Sequence, residues 1–387
     1  AMYANTTGAS NVALGQGALR NNTTAANNTA IGREALFTNT TGHSNVAMGL
    51  NALNDNTTAS YNTSVGTYSM DKTTTGSNNT AVGYQALELN TTAYQNTAVG
   101  VTSLKSTTTG ADNTGVGFSA LFANTTGYNN TAVGKSSLST TTTGAQNTAV
   151  GMQSLLSNTT GYNNSAVSTY ALKANTTGHS NTAVGLSSLQ VNTTGNGNSS
   201  VGNSAGDSIT TGENNAFLGL RAGHTFTTGS NNVCVGYEAG GSSTTDNNQL
   251  WIARSSGAVN SAGVWVYGDA SGRCYQGNNS SSWSTTSDER IKKDIVDSPN
   301  GLAKIDAMQV RNFNYKTQEE ITEGGFTACD SEGLQTGVIA QELESVLPEC
   351  IVESDDGMKR VNIDPIFWSM VKAIQELSAR IEVLEGE

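Results

Sequence analysis

Charge is scarce in this 387-residue chain: 13% of its residues are Asp, Glu, Lys or Arg, about half the usual globular share. The shortage is local. Residues 1–240 carry 7 Lys/Arg and 8 Asp/Glu, whereas residues 241–387 carry 12 and 23. The acidic excess belongs to the C-terminal part, and neither part has the basic footprint of a nucleic-acid binder. No apolar run approaches the roughly 20 residues a membrane-spanning helix needs, so no membrane insertion is expected. The opening AMYANTTG has neither the basic nor the apolar region of a secretory signal. It also enters mid-pattern, so the expectation is a C-terminal piece of something longer. The cysteines (Cys234, Cys274, Cys329, Cys350) and histidines (His43, His179, His224) are scattered without ligand spacing. Neither a disulfide framework, a metal site nor a cofactor is therefore expected.

What fills the chain instead is a repeat. NVALG, NTAIG, NVAMG, NTSVG and NTAVG recur every 17 residues without insertion or deletion, from Gly15 to Gly236. Ser168 is the one replacement in a glycine column of fourteen. Four residues before each of these positions stands asparagine, from Asn11 to Asn232, and the residue just before the glycine is always apolar. Four residues after it comes Leu, or Met70 once, in the first eleven coils.

Seventeen residues are too few for a helix pair, and Thr, Val, Asn and Gly favour strands and turns. At about 3.3 Å per residue, two strands of about five residues and two turns close one coil. Stacked coils then pair each strand with those above and below, and any indel would turn an apolar column outward. Fourteen coils at about 4.8 Å make a rod of about 65 Å. The asparagine predicts an internal amide ladder or a turn position, and the glycine a positive φ. Alternation places Thr and Val on one side of N-T-A-V-G and Ala and Asn on the other. We read Val as the buried side. The small column (Ala13, Ala30, Ala47, Ser64, through Ser200) is then expected to meet a neighbouring subunit. The pattern changes from about residue 203: Gly206, Gly223 and Gly240 replace Leu, and Phe217 and Cys234 enter the small column. Residues 241–286 read as a β-rich neck, with Leu250, Ile252, Val264, Val266 and Tyr275 in short strands.

The 1–240 repeat resembles the coils of trimeric autotransporter adhesin heads. It is more similar still to repeats of phage tail-fibre-like proteins, on the strength of NTAVGYQAL at 79–87 and the recurring NTTG. That resemblance implies a homotrimeric parallel β-solenoid used for attachment.

At residue 287 the composition turns. SDERIKKDI (287–295) packs six charged residues into nine positions, and on its own it reads as a solvated helix face. The remainder to 387 reads as a small α+β domain. DSPNGLAKIDAM begins a helix at Pro299, and GVIAQELESVLPE places Val338, Ile339, Leu343, Val346 and Leu347 on one apolar face, ended by Pro348. A last helix over about 365–385, opened by Asp364 and Pro365, sets Phe367, Met370, Ile374, Leu377, Ile381 and Leu384 three and four apart. This seam of about two and a half heptads packs on its own domain or zips to copies of itself as a coiled coil.

SDERIKKDI, then TGVIAQELESVLPE, then the terminal helix together resemble the intramolecular chaperone auto-processing domain that ends many phage tailspikes and tail fibres. The resemblance covers 287–387. It implies self-cleavage by a serine–lysine dyad, with Ser287 as nucleophile and Lys292 as base. The scissile bond would adjoin Ser287, with Thr286–Ser287 favoured. Serine attack needs a neighbouring base, and a lysine serves once burial makes it neutral.

The expected function is thus the distal part of a phage tail fibre, a homotrimer assembled in the bacterial host cytoplasm. Its expected partners are a host surface receptor of glycan type and the rest of the tail through the missing N-terminal part. Tyr94, Tyr128 and Tyr162, two coils apart, are the candidate receptor contacts, since aromatic faces suit sugars. The alternatives are a bacterial surface adhesin with the same chaperone and a glycan-degrading tailspike. The eight acids of residues 1–240 are mostly isolated in sequence, whereas glycoside hydrolysis needs a carboxylate pair. Threonine pairs along the NTT column raise a further reading, an ice- or surface-binding solenoid.

Overall fold

A computed structural model describes residues 1–240, 244–254, 264–268, 274–276, 293–321, 333–353 and 358–386. The chain divides into two compact units, Ala1–Trp283 and Ser284–Glu387.

The first unit is a parallel β-solenoid whose strands recur every 17 residues, from β1 (Val12–Leu14) to β14 (Val233–Val235). Register is fixed at one coil: Thr80, Ala81 and Val82 pair with Thr97, Ala98 and Val99. Each coil holds one strand of three residues, where composition had predicted two of about five. The reason lies in the backbone. In the coils from Gly32 to Gly151, three non-glycine residues sit in the left-handed region, as at Gln85 (φ 54°), Leu87 (φ 52°) and Gln95 (φ 58°), beside Gly83 at φ 137°. These kinks turn the chain back on itself within 17 residues. They keep the coils stacked, because N–H groups in the turns still bond one coil away, as Leu87 N–H to Ser103 O at 3.0 Å.

The leucine column pays for its conformation. From Leu19 to Leu189 these residues hold φ between 49° and 53°, which costs an L-residue roughly 1–2 kcal/mol. Each is fully buried, and burying a leucine returns about 1.5–3 kcal/mol, so packing wins. Downstream the same backbone is met differently: Gly206 and Gly223 hold φ 60° and 69° with no side chain to strain. Phe217 fills the space instead, and a Cβ on Gly223 would lie 2.3 Å from its ring. Phe226 stacks on Phe217 at 6.0 Å.

The inside and outside of the strands are the reverse of the expectation. Ala81 is fully buried while Val82 is 37% exposed, and the pattern holds along the rod. The small column faces the core of its own coil and does not meet a neighbouring subunit. The interior is already occupied by the leucines rising from the opposite wall. At Gly115, in the small column, even an added Cβ would come within 3.2 Å of Leu104 Cγ and 2.6 Å of Ser103 Oγ. Alanine is the largest common fit, so valine is turned outward.

Three polar ladders run the length of the core. Asn147 N–H donates to Asn130 Oδ1 (3.1 Å), its Nδ2 to Gly161 O (2.8 Å), and its own Oδ1 accepts Asn164 N–H (3.0 Å). That pattern repeats at every coil, which leaves this buried amide column satisfied. A second column begins at Asn5, Asn22 and Asn39, where Asn22 and then Asn39 donate Nδ2 to the Oδ1 one coil back (Asn39 to Asn22, 2.8 Å). It is broken at Thr73, Thr107, Thr141 and Ile209. The asparagine before each break, Asn56, Asn90, Asn124 and Asn192, keeps a buried Oδ1 with no partner. In the third, the first threonine of each NTT pair donates to the carbonyl of its successor, as Thr125 Oγ1 to Thr142 O (3.0 Å). Its hydroxyl serves the rod itself rather than an outer surface.

Beyond 240 the rod register carries on before it ends. Gln249 N–H donates to Asn232 Oδ1 (2.9 Å), and β15 (Leu250–Ala253) pairs in parallel with β14. Two antiparallel strands, β16 (Val264–Gly268) and β17 (Cys274–Gln276), then follow.

The second unit is small and mixed. Helix α1 (Leu302–Ala307) is followed by β18 (Arg311–Phe313) and β19 (Gln335–Gly337), an antiparallel pair, then α2 (Ala340–Glu344). A 3-10 turn at Pro348–Cys350, the hairpin β20 (Ile351–Glu353) and β21 (Lys359–Val361), and α3 (Asp364–Glu385) complete it. Leu343, Leu347 and Cys350 form its core, with Val338, Val346 and Ile366 against them. Two helix starts differ from the sequence reading. The first helix opens at Leu302 rather than at Pro299, because its leading amide is met by Glu376 Oε2 from α3 at 2.9 Å. Asp364 lies in the first turn of α3, behind Ile363 at the cap. The α3 seam does not pack on its own domain: Phe367, Ile374, Ile381 and Leu384 are 54%, 66%, 52% and 72% exposed.

Candidate functional site

The dyad candidates Ser287 and Lys292, and Thr286 at the expected scissile bond, lie outside the described residues. Description resumes at Lys293, which is exposed. Asp294 follows in the left-handed conformation (φ 55°), and Ile295 and Val296 are exposed. Residues 293–299 are thus irregular and solvent-exposed, and the rest of SDERIKKDI (287–292), which the local pattern reads as a solvated helix face, lies outside the described residues.

The unit it enters is held by long-range polar contacts. Arg311 on β18 clamps Glu342 on α2 with two bonds of 3.0 and 2.9 Å. The bonds hold the Glu342 carboxyl below and the Arg311 guanidinium above their ordinary ranges. Lys304 Nζ donates to Val346 O (2.6 Å), which ties α1 to the turn after α2. Thr336 Oγ1 bonds Asn312 Oδ1 (2.7 Å) across the β18–β19 pair. Lys359 pairs with Glu344, whose hydrogen bond raises the lysine above its usual range. None of these partners is near in sequence, and no spacing rule announces them. Burial and the neighbouring Glu349 charge push the Cys350 thiol up, so it behaves as a core residue.

On the rod, Tyr94, Tyr128 and Tyr162 are 50%, 49% and 43% exposed. Between them lie Ala111 and Ala145, only 8% and 7% exposed. The three rings therefore stand proud of one column at a spacing of two coils. Two histidines that look scattered in the sequence belong to the same column. His179 stacks on Tyr162 at 4.6 Å with the planes 14° apart, and His43 meets Tyr61 edge-on at 4.9 Å. Counting in steps of 17 would have found both.

Stacking also gathers acids that are far apart in sequence. Lys72 Nζ lies 3.1 Å from both Asp55 Oδ2 and Asp71 Oδ2, and Lys105 reaches Glu88 at 3.2 Å. Burial raises the Asp71 carboxyl, outweighing the hydrogen bond from Lys72. With lysines bound to the carboxylates, this is an ion-pair line along the rod rather than a free acid and base. Among the described residues, no three His, Cys, Asp or Glu side chains are grouped as a metal would require. No helix among them is long and apolar enough to cross a membrane.

Compared with known proteins, residues 287–352 match a peptidase family model described as the chaperone of endosialidase. No solved structure matches the chain.

Proposed function

From a C-terminal segment that matches the chaperone of endosialidase, carried on a fourteen-coil β-solenoid, we propose that this chain is the distal, receptor-binding part of a phage tail fibre. The solenoid and the match fit a tail-fibre or tailspike-like protein with a C-terminal intramolecular chaperone, and the matched family is one of self-cleaving chaperone domains. The reading goes further in three respects: the rod is a homotrimer, the chaperone releases itself beside Ser287, and the mature rod binds a host surface glycan through the tyrosine column.

The observation that carries the proposal is the coincidence of boundaries. The family match begins at Ser287, the first residue of SDERIKKDI, just beyond the rod and its strand-rich neck. In the proposed reaction Lys292, in its neutral form, takes the Ser287 hydroxyl proton as Oγ attacks the Thr286 carbonyl. The tetrahedral intermediate collapses to an ester as the Ser287 amide nitrogen leaves with a proton. Water then hydrolyses the ester and frees the chaperone. The event is single-turnover and in cis.

The physical need is clear. Chains of a parallel β rod must be aligned before many contacts reward them, and an unfinished rod presents an open strand edge. A C-terminal domain that associates first raises the local concentration of the strands. Its loss afterwards leaves the product kinetically trapped.

The test is expression of the wild-type chain beside Ser287→Ala and Lys292→Ala, followed by denaturing gels and intact mass. The wild type should yield a fragment ending at Thr286, and both variants should stay full-length. A folded wild type that never cleaves would make the domain a permanent cap. Cleavage in Ser287→Ala would refute the dyad.

A further inference from the structure

The turning of valine outward leaves a band that a single solenoid does not cover. It consists of the residues one, three and five places after each ladder asparagine, for example Thr80, Val82 and Tyr84. Val82, Val99, Val150 and Val184 are 36–38% exposed, and Phe118 and Leu220 in the outermost column 54% and 45%. Across the whole band only Arg33 and Lys135 carry charge, and there is no acid. The remaining charged residues of the rod, including Asp71, Lys72, Glu88 and Lys105, stand in other columns. With fourteen strands at about 4.8 Å and four residue steps across, the band measures roughly 60 by 13 Å, or about 800 Å². Thr or Ser fills most of its first column, so the band is an apolar ridge edged by hydroxyls, and its footprint of about 800 Å² is what one partner gives to a stable interface.

We propose that this band is the face on which copies of the chain pack against one another, parallel and at the same height, around the axis of the rod. The inference rests on the multi-chain reading above and specifies its surface. Three observations identify the occupant as a second copy. A covering surface must repeat at the spacing of the coils for the full length of the rod, and a copy of the chain does so. The band has no charge pattern that an unlike partner could read, and its two cations lie in the outermost column, where long side chains reach water. The same chain also leaves the α3 seam uncovered, and joining those seams brings the C-termini together, which selects the parallel arrangement.

The experiment uses the full chain. Val150→Asp places a charge in the band without touching the core of its own coil, and Thr143→Asp does the same at an exposed position outside it. Light scattering should give the wild-type mass for Thr143→Asp and an at least tenfold weaker assembly for Val150→Asp, with the β signal retained in circular dichroism. Should Val150→Asp fail to fold, labelling decides. In a background with Cys274 and Cys329 replaced by serine, the thiol of Val150→Cys should react with maleimide at least tenfold slower than that of Thr143→Cys. Equal labelling rates in an assembled particle would overturn this interface and leave the multi-chain rod standing. A wild-type chain that stays single would overturn both. Cleavage beside Ser287 is read independently on the same gels.

Discussion

Replacing Thr73, Thr107 and Thr141 with asparagine should make the rod more stable, although each threonine is already fully buried. At these positions the second amide column is interrupted, and Asn56, Asn90 and Asn124 keep unpartnered Oδ1 atoms inside the core. An asparagine at the break would donate its Nδ2 to that oxygen, as Asn39 does to Asn22 at 2.8 Å, and its own Oδ1 would accept the amide of the next coil. Threonine and asparagine are close in volume, so little repacking opposes the exchange. Satisfying one buried acceptor is worth about 1–2 kcal/mol. The sites lie two coils apart, and although Asn90 stands between the first two and Asn124 between the last two, each exchange satisfies a different oxygen, so their effects should add to about 3–6 kcal/mol per chain. The assay is urea unfolding of Ser287→Ala chains at fixed concentration: the midpoint should rise in three comparable steps with an unchanged slope. Ile209→Asn is the contrasting case. It would repair Asn192 but hand the orphan on to itself, because Phe226 follows it in the column, and it would lose a fully buried isoleucine side chain worth about 1.5–3 kcal/mol. That variant should be less stable. If the three threonine variants leave the midpoint unmoved, the orphan oxygens are not costing the rod anything and the reasoning fails.

Two further outcomes follow from the core and its charges. Phe217→Ala alone should cost about 3–5 kcal/mol, and Gly223→Leu alone should also destabilise, since its Cβ would lie 2.3 Å from the Phe217 ring. Combined, they restore the upstream leucine-and-alanine arrangement, so the double variant should be more stable in urea than the sum of the two losses. Burial raises the Asp71 carboxyl from its ordinary 3.8, so the folded state holds that proton more tightly than the unfolded chain. The penalty is absent below the ordinary pKa and grows as pH rises through the raised one. Asp71→Asn should therefore raise the urea midpoint at pH 7 and leave it nearly unchanged near pH 3.

The period of this protein was legible because each coil repeats the same local solution, and a count of 17 finds it. Which side of the strand is inside was not. Alternation separates Ala81 from Val82, but it cannot say that the interior is narrow, and hydrophobicity argues for the wrong one. The deciding fact is Leu104 reaching across from the far wall, a contact between columns that no single strand shows. The single short strand per coil was hidden for a related reason: Gln85 and Leu87 give no sign in their identity of a left-handed backbone that glycine or asparagine would have advertised. At the C-terminal end the apolar face through Leu343 and Leu347 and the long final helix were readable from spacing. The Arg311–Glu342 clamp and the capping of α1 by Glu376 were not, since these pairs are made only by the tertiary fold. Ser287 and Lys292 stood out only through the motif around them, because a serine and a lysine five apart carry no pattern of their own.

Fixed register gives this rod a length that changes in whole units. Adding or removing 17 residues between Asn11 and Asn198 reproduces the same backbone bonds and the same three ladders, and moves one end of the rod by about 4.8 Å. Adding one residue turns the buried alanines outward and ruins the coil. Reach can therefore be set by copying a coil, without redesigning anything that touches it. The last coils are exempt: Ile209, Phe217 and Phe226 fit only one another and their glycines, so they cannot be duplicated or dropped singly. The rod is an adjustable shaft on a fixed collar, and the collar is the end nearest in sequence to the chaperone.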